Sequence, residues 1–298
     1  MSEWQVRAVK YADRNQRKRF DSFIFDDNHD APHPMDYYIW VLSRGDETIL
    51  VDTGYDEEEG RRRGRPVTLD PLAALAPLGI SAETVSTVIV THLHYDHAGG
   101  NEVFQTAGTT VFAHDNVRGR LSGAIESAGR ANRGASPEPA WPIVTFATGV
   151  DFHLNGQTIQ AFKVPAAHTD GDVMVFFPDA DVLHTGDTYM KGRFPFIDTG
   201  SGGTLDGLIE AQMKALEIAG DDTRIIPGHG ELASKADLQE TNDTIRAARA
   251  AVKARLDAGD TLEQAVAARP LAQWDATYGS GFIDSDTFVA TIYGELTK

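Results

Sequence analysis

Val85-Ser86-Thr87-Val88-Ile89-Val90-Thr91-His92-Leu93-His94-Tyr95-Asp96-His97-Ala98-Gly99-Gly100-Asn101 decides how this chain is read. The first six residues are a short β-branched run of the kind that forms a buried strand. Four potential metal ligands then follow within six residues: His92, His94, Asp96 and His97. In an extended chain, side chains at i and i+2 share a face, so His92 and His94 are expected to converge on one metal. Asp96 and His97 fall at the turn that follows and face a second. Imidazole and carboxylate without thiolate suit zinc, iron or manganese, with zinc the usual choice for hydrolysis.

Further candidate ligands recur after later apolar runs. His168 follows Lys163-Val164-Pro165-Ala166-Ala167, Asp187 closes Leu183-His184-Thr185-Gly186-Asp187, and His229 lies in Ile225-Ile226-Pro227-Gly228-His229-Gly230. Each sits where a scaffold presents functional groups on a loop. His29 and His33 read as surface residues. His114, His153 and His184 read as packing or hydrogen-bonding residues.

The surrounding pattern is mixed α/β. Residues 37–42 and 48–51 form a hairpin with a four- or five-residue loop, and 85–90 and 109–113 are strands. Residues 151–164 form two strands about Asn155-Gly156. Residues 173–177, 182–184 and 224–226 are further strands. Residues 69–78 are a helix interrupted by prolines, and 205–218 a continuous one. From 235 to 256, Leu238, Ile245, Val252 and Leu256 share one helical face. A helix over 261–268 is capped by Asp260 or Thr261. Residues 122–142 read as a helix-plus-loop excursion, either a lid bearing Arg130 and Arg133 or a surface loop. No linker divides the chain, so a single domain over 1–298 is expected, with 231–298 a helical extension packed on two sheets with outer helices.

Composition narrows the function classes. The chain has 298 residues, 27 Lys+Arg against 44 Asp+Glu, a net charge of −17 and no Cys. A chain of this size buries roughly 75% of its unfolded surface and needs no disulfide staples. The missing Cys excludes a thiolate metal site or a Cys nucleophile. The acidic balance disfavours a nucleic-acid partner. No apolar run is long enough to span a bilayer. Residues 1–5 carry no secretory pattern. A cytoplasmic protein is expected, or a periplasmic or secreted one if the chain has been trimmed.

His-x-His-x-Asp-His, a later His, a Gly-Asp and a Gly-His together resemble the metallo-β-lactamase superfamily over about Tyr37 to Gly230. The resemblance implies an αββα sandwich with a dinuclear site at one edge. By resemblance, His92, His94 and His168 hold the first of two Zn2+ ions (or Fe or Mn), and Asp96, His97 and His229 the second. Asp187 bridges both. Asp52, in Val51-Asp52-Thr53-Gly54, matches a motif whose Asp orients the histidine loop without touching metal. A hydroxide bridging the ions would attack a carbonyl. Asp96 would orient it and carry a proton to the leaving group.

The flanks resemble two branches. Residues 35–42, 51–56 and 92–99, with the Arg61-to-Arg65 run, resemble N-acyl homoserine lactonases. From about Gly100 onward, 114–118, 167–172 and 196–203 resemble secreted β-lactamase-like metallohydrolases. The expected reaction is opening of a lactone, an N-acyl homoserine lactone above others. β-Lactam, thioester or phosphodiester hydrolysis, iron redox chemistry and a non-catalytic binding fold are the alternatives. Tyr189, two residues after Asp187, is expected either to hydrogen-bond the substrate carbonyl or to pack. The Arg61-to-Arg65 run either attracts an anionic substrate or is a solvated loop. The partner is a small cyclic ester or amide. The aromatic-rich tail, Trp274 to Tyr293, either completes the core or forms a homodimer contact.

Overall fold

Val85–Ile89, the strand that leads into the histidine cluster, lies between two parallel neighbours in a six-stranded sheet. That position explains its apolar, β-branched composition, since a strand in the middle of a parallel run is covered on both faces. The computed structural model describes residues 5–13, 36–45, 47–62, 67–128, 134–154, 156–279 and 281–298. His29, His33, Arg63, Arg65, Arg130, Arg133 and Asn155, all singled out in the sequence, lie outside the described residues. Among the described residues the strands form two mixed sheets of six and five, with helices, as expected for this α/β class.

The chain divides into two compact units. Unit 1 comprises Met1–Lys163 and Val173–Ala180. Its six-stranded sheet runs in the order β1 (Gln5–Asp13), β2 (Asp36–Arg44), β3 (Glu47–Val51), β4 (Val85–Ile89), β5 (Thr110–His114) and β6 (Val144–Phe146). β1, β2 and β3 are antiparallel, and β3 to β6 are parallel. Short helices α1 (Glu57–Arg62), α2 (Pro71–Leu75), α3 (Tyr95–Ala98), α4 (Asn101–Thr106) and α5 (Asp115–Leu121) connect the strands. Three antiparallel strands, β7 (Gly149–Leu154), β8 (Gln157–Lys163) and β9 (Val173–Phe177), complete this unit. Ile39, Val41, Leu50, Val88, Val90 and Val111 form the centre of its core.

Unit 2 comprises Val164–Asp172 and Asp181–Lys298. A parallel pair, β10 (Val182–His184) and β11 (Arg224–Ile226), accompanies helices α6 (Leu205–Ile218), α7 (Lys235–Asp257), α8 (Leu262–Ala267) and α9 (Ser285–Leu296). α7 opens with a reciprocal cap: Ser234 Oγ accepts from the Asp237 amide, and Asp237 accepts from the Ser234 amide. Its buried stripe contains Leu238, Ile245 and Val252, as the helical period predicts, while Leu256 is only half-buried.

Some local expectations change. The helix over 69–78 shortens to α2, which starts with Pro71 at its first position after the Asp70 cap and gives way to a 3-10 turn at Ala76–Leu78, where Pro77 lacks the amide that would continue the ladder. The helix expected within 122–142 lies earlier, at α5, and the described part of that segment contains one 3-10 turn, Glu138–Ala140. The aromatic tail includes a full helix, α9. Asp284 caps it, accepting from the Thr287 amide at 2.7 Å, and Phe288 and Ile292 are buried one turn apart.

Candidate metal centre

One buried carboxylate holds His97 directly and His92 through Thr91. Asp52 follows β3, level with the end of β4, in a left-handed conformation (φ 65°) and almost wholly buried. Asp tolerates that region better than most side chains. Its Oδ1 accepts from the Thr91 amide at 2.8 Å, and the Thr91 hydroxyl lies 3.0 and 2.9 Å from Oδ1 and Oδ2. Oδ2 is 2.7 Å from His97 Nδ1. A carboxylate only accepts, so His97 carries its proton on Nδ1 and its lone pair on Nε2. The same logic reaches His92. Thr91 gives its single hydroxyl proton to Asp52, so His92 Nδ1, 3.2 Å from Thr91 Oγ1, is the donor in that contact. Its lone pair also lies on Nε2.

Two loops interlock to set this arrangement. Thr53 donates its amide to the His97 carbonyl at 2.7 Å, and its Oγ1 accepts from the Gly100 amide at 3.0 Å. A side chain at Gly100 would bring its Cβ to 2.7 Å from the Thr53 carbonyl oxygen, so only glycine permits the approach. Residues 92–94 are bends rather than the extended strand expected, and α3 begins at Tyr95. The donor atoms of His92 and His94 still fall within 4.8 Å of each other, as do those of Asp96 and His97.

A tyrosine group underlies α3. The Tyr55 ring lies 5.2, 5.3 and 5.3 Å from the rings of Tyr11, Tyr37 and Tyr95. The Tyr11 hydroxyl makes a long contact, 3.5 Å, to the Asp96 carbonyl oxygen. Burial first, then the nearby Asp96 charge, pushes the Tyr11 phenol well above its ordinary range, so it stays a proton donor. Thr91 and Tyr11 were not singled out in the sequence. Thr91 follows a strand and precedes the first His, which is a readable signal. Tyr11 is far away in the chain and offers none.

Unit 2 contributes donors from three separate loops. His168 Nδ1 lies 2.7 Å from the Phe196 carbonyl oxygen, which only accepts, so the His168 lone pair is again on Nε2. The Asp198 amide donates to the His168 carbonyl at 2.8 Å, and Asp172 accepts from Thr169 at its amide and hydroxyl. Asp187 occupies a 3-10 turn after β10. Its Oδ2 lies 3.4 Å from His168 Nε2 and 3.4 Å from His229 Nε2. Tetrahedral zinc with ligands at about 2.0–2.1 Å sets neighbouring donor atoms about 3.4 Å apart. The spacing therefore fits metal ligation. Gly228 makes room for it, because a Cβ there would sit 1.9 Å from Asp187 Oδ1.

Residues 34–229 match the profile of the metallo-beta-lactamase superfamily. The chain belongs to that superfamily. It is 27% identical over 246 residues to hydroxyacylglutathione hydrolase of Synechococcus sp. (strain WH7803), covering 76% of this chain and 77% of that protein. It is 23% identical over 200 residues to the probable metallo-hydrolase YqgX of Bacillus subtilis (strain 168), covering 66% and 86%. The metallo-beta-lactamase from Pontibacter korlensis shares the fold, with a TM-score of 0.57 at 19% identity, over 83% of this chain and 96% of that one. The superfamily fold and the His/Asp cluster indicate a metal-dependent hydrolase with a divalent metal site.

The other residues sort by placement. Tyr189 is fully buried, and its hydroxyl lies by Thr241 of α7 and near Asp237, Glu240 and Tyr278. Burial pushes its phenol well above the ordinary range. Of its two expected roles, this placement suits packing rather than contact with a substrate carbonyl. His184 Nδ1 accepts from the Gly186 amide at 3.1 Å. His114 caps α5, accepting from the Asn116 amide, while its Nε2 lies 3.1 Å from the Ala147 carbonyl oxygen. His153 is exposed beside Thr158. Arg61 is exposed on α1. Among the described residues no helix is long and apolar enough to cross a membrane.

Proposed function

We propose that this superfamily hydrolase opens a lactone ring, with N-acyl homoserine lactones as its substrate class. In this reading His92, His94 and His168 hold one Zn2+ ion, and Asp96, His97 and His229 hold a second. Asp187 would serve both, and residues 1–298 would make a single domain. The observation that carries the metal assignment is the presentation of Nε2 by His92, His97 and His168, each committed at Nδ1 to an oxygen. Iron or manganese would suit the same donors. Lactone as substrate rests on the resemblance of 35–42, 51–56 and 92–99 to N-acyl homoserine lactonases.

When bound, the metal supplies Lewis acidity that activates water near neutral pH and polarises the scissile carbonyl. The chain does the rest. Asp52 and the Phe196 carbonyl fix imidazole orientation. Asp96 orients the attacking water and moves its proton to the leaving alkoxide. A thioester reading is favoured by the likeness to a hydroxyacylglutathione hydrolase, and the β-lactam reading by the shared fold.

Ring opening of N-hexanoyl homoserine lactone by zinc-loaded protein, against a chelated control, tests the proposal. Rapid chelator-sensitive opening is the expected result. No opening above the control, with turnover of S-lactoylglutathione or a β-lactam, overturns it. Asp96→Asn is expected to lower kcat by about 10²–10⁴-fold, and turnover near the parent level would remove the proton-transfer role.

A further inference from the structure

The segment that fixes His168 is itself clamped to the C-terminal part of unit 2. The Phe194 amide donates to the Tyr278 carbonyl oxygen at 3.2 Å. The Phe194 ring is buried, stacked on Phe288 at 4.7 Å and tilted against Tyr278 at 5.7 Å. Gly281 packs against Arg193 so closely that an added Cβ would come within 3.1 Å of the arginine Cβ. These contacts seat two further rings side by side. Phe196, whose carbonyl accepts from His168 Nδ1, sets its ring edge-on to the His168 imidazole at 5.7 Å. Phe282 meets Phe196 at 90° and 5.7 Å, and 41% of its surface is exposed.

A single exposed phenylalanine needs no functional explanation. Phe282 differs from a scattered one because its ring continues, through half-buried Phe196, to a proposed metal ligand. The two rings form a ledge, a continuous apolar path from a proposed metal ligand to the protein surface. Phenylalanine rings offer no hydrogen-bond donor or acceptor group to a substrate, whereas an alkyl or aryl substituent loses its water against them.

We propose that the Phe196–Phe282 pair is a specificity surface for this enzyme, taking an apolar substituent of the substrate beside His168. The proposal deepens the lactone-opening reading and rests on it for His168 as a metal ligand. It assigns to the C-terminal segment a part in choosing substrates as well as in packing.

The test compares N-decanoyl with N-butanoyl homoserine lactone in wild type, Phe282→Ala and Phe282→Leu. The ratio of kcat/KM, decanoyl over butanoyl, is expected to fall about tenfold or more in Phe282→Ala, through KM rather than kcat. Phe282→Leu is expected to restore most of the ratio. A ratio unchanged in Phe282→Ala overturns the proposal. A second measurement does not depend on turnover: calorimetric titration of zinc-loaded protein with decanoate and with butanoate. Wild type is expected to favour decanoate, and Phe282→Ala to lose most of that preference. Equal loss of affinity for both acids, or no preference in wild type, overturns the ledge. If no lactone is opened by wild type, the lactonase reading falls, and the alkanoate preference still decides the ledge by itself.

Discussion

Four of the candidate metal ligands come from one short stretch of unit 1, and three come from three loops of unit 2. His92, His94, Asp96 and His97 need only a strand end, a bend and one turn of helix to gather. His168, Asp187 and His229 are separated by long stretches of chain. Asp187 and His229 meet because β10 and β11 run parallel and each follows a strand end, and His168 joins Asp187 from the 164–172 segment. The support differs in kind as well. In unit 1 a buried side chain, Asp52, orients two of the candidate ligands, His97 directly and His92 through Thr91. In unit 2 a backbone carbonyl at Phe196 does so, and the absence of a side chain at Gly228 makes room for the carboxylate. A local cluster can be tuned by substitution of its orienting residue, whereas a dispersed cluster is tuned by the path of the chain.

The largest break in this comparison is expected at Asp187, where the unit 2 donors converge. Asp187→Ala should lower the metal-dependent hydrolysis rate by about 10³-fold or more, since Lewis-acid stabilisation is worth several kcal/mol. Metal analysis should show lost zinc, and full zinc content with wild-type rates would refute the assignment. Asp52→Asn probes the unit 1 half more gently. It keeps the shape but weakens the hold on His97 Nδ1, and metal affinity should fall about 10–100-fold. Competition with a chelator reads that directly. An unchanged affinity would mean the interlocked loops alone orient the histidines.

The smallest effect sharpens the contrast by lying off the site. Ser234→Ala removes the α7 cap and should cost about 1 kcal/mol of stability, read as a lower denaturant midpoint, with zinc affinity unchanged. Hydrogen bonds from the Ser234 amide and hydroxyl, then Lys191, hold the Asp237 carboxyl below its ordinary value. Its folded value is the depressed one. The contribution is therefore present above the ordinary carboxylate range, near pH 4, and is lost as pH falls through the lowered value. A wild-type midpoint advantage that does not shrink at still lower pH would contradict that origin.

Much of the fold was readable because local signals agreed with it. α6 and β11 have the bounds that their patterns predict, and α7 extends its pattern by one residue. α9 is hard to read in the sequence although its cap, Asp284, and the Phe288/Ile292 pair are present, because it lies within an aromatic-rich tail. β1 is hard to read too. It pairs with β2, and the bulge between Lys10 and Ala12 breaks the alternation that would reveal a strand. At the site, Thr91 stood beside the motif, whereas Tyr11 and Phe196 reach it from afar.

By itself the sequence determined the candidate ligand types, the exclusion of thiolate chemistry and the superfamily, because these depend on residue identity and short spacing. Only the tertiary structure decided which nitrogen His92, His97 and His168 present, where Tyr189 lies and how Phe282 comes to stand next to Phe196. Those features depend on acceptors and rings contributed from distant parts of the chain. A backbone carbonyl is the same in every residue, so nothing in the letters marks the one that fixes His168.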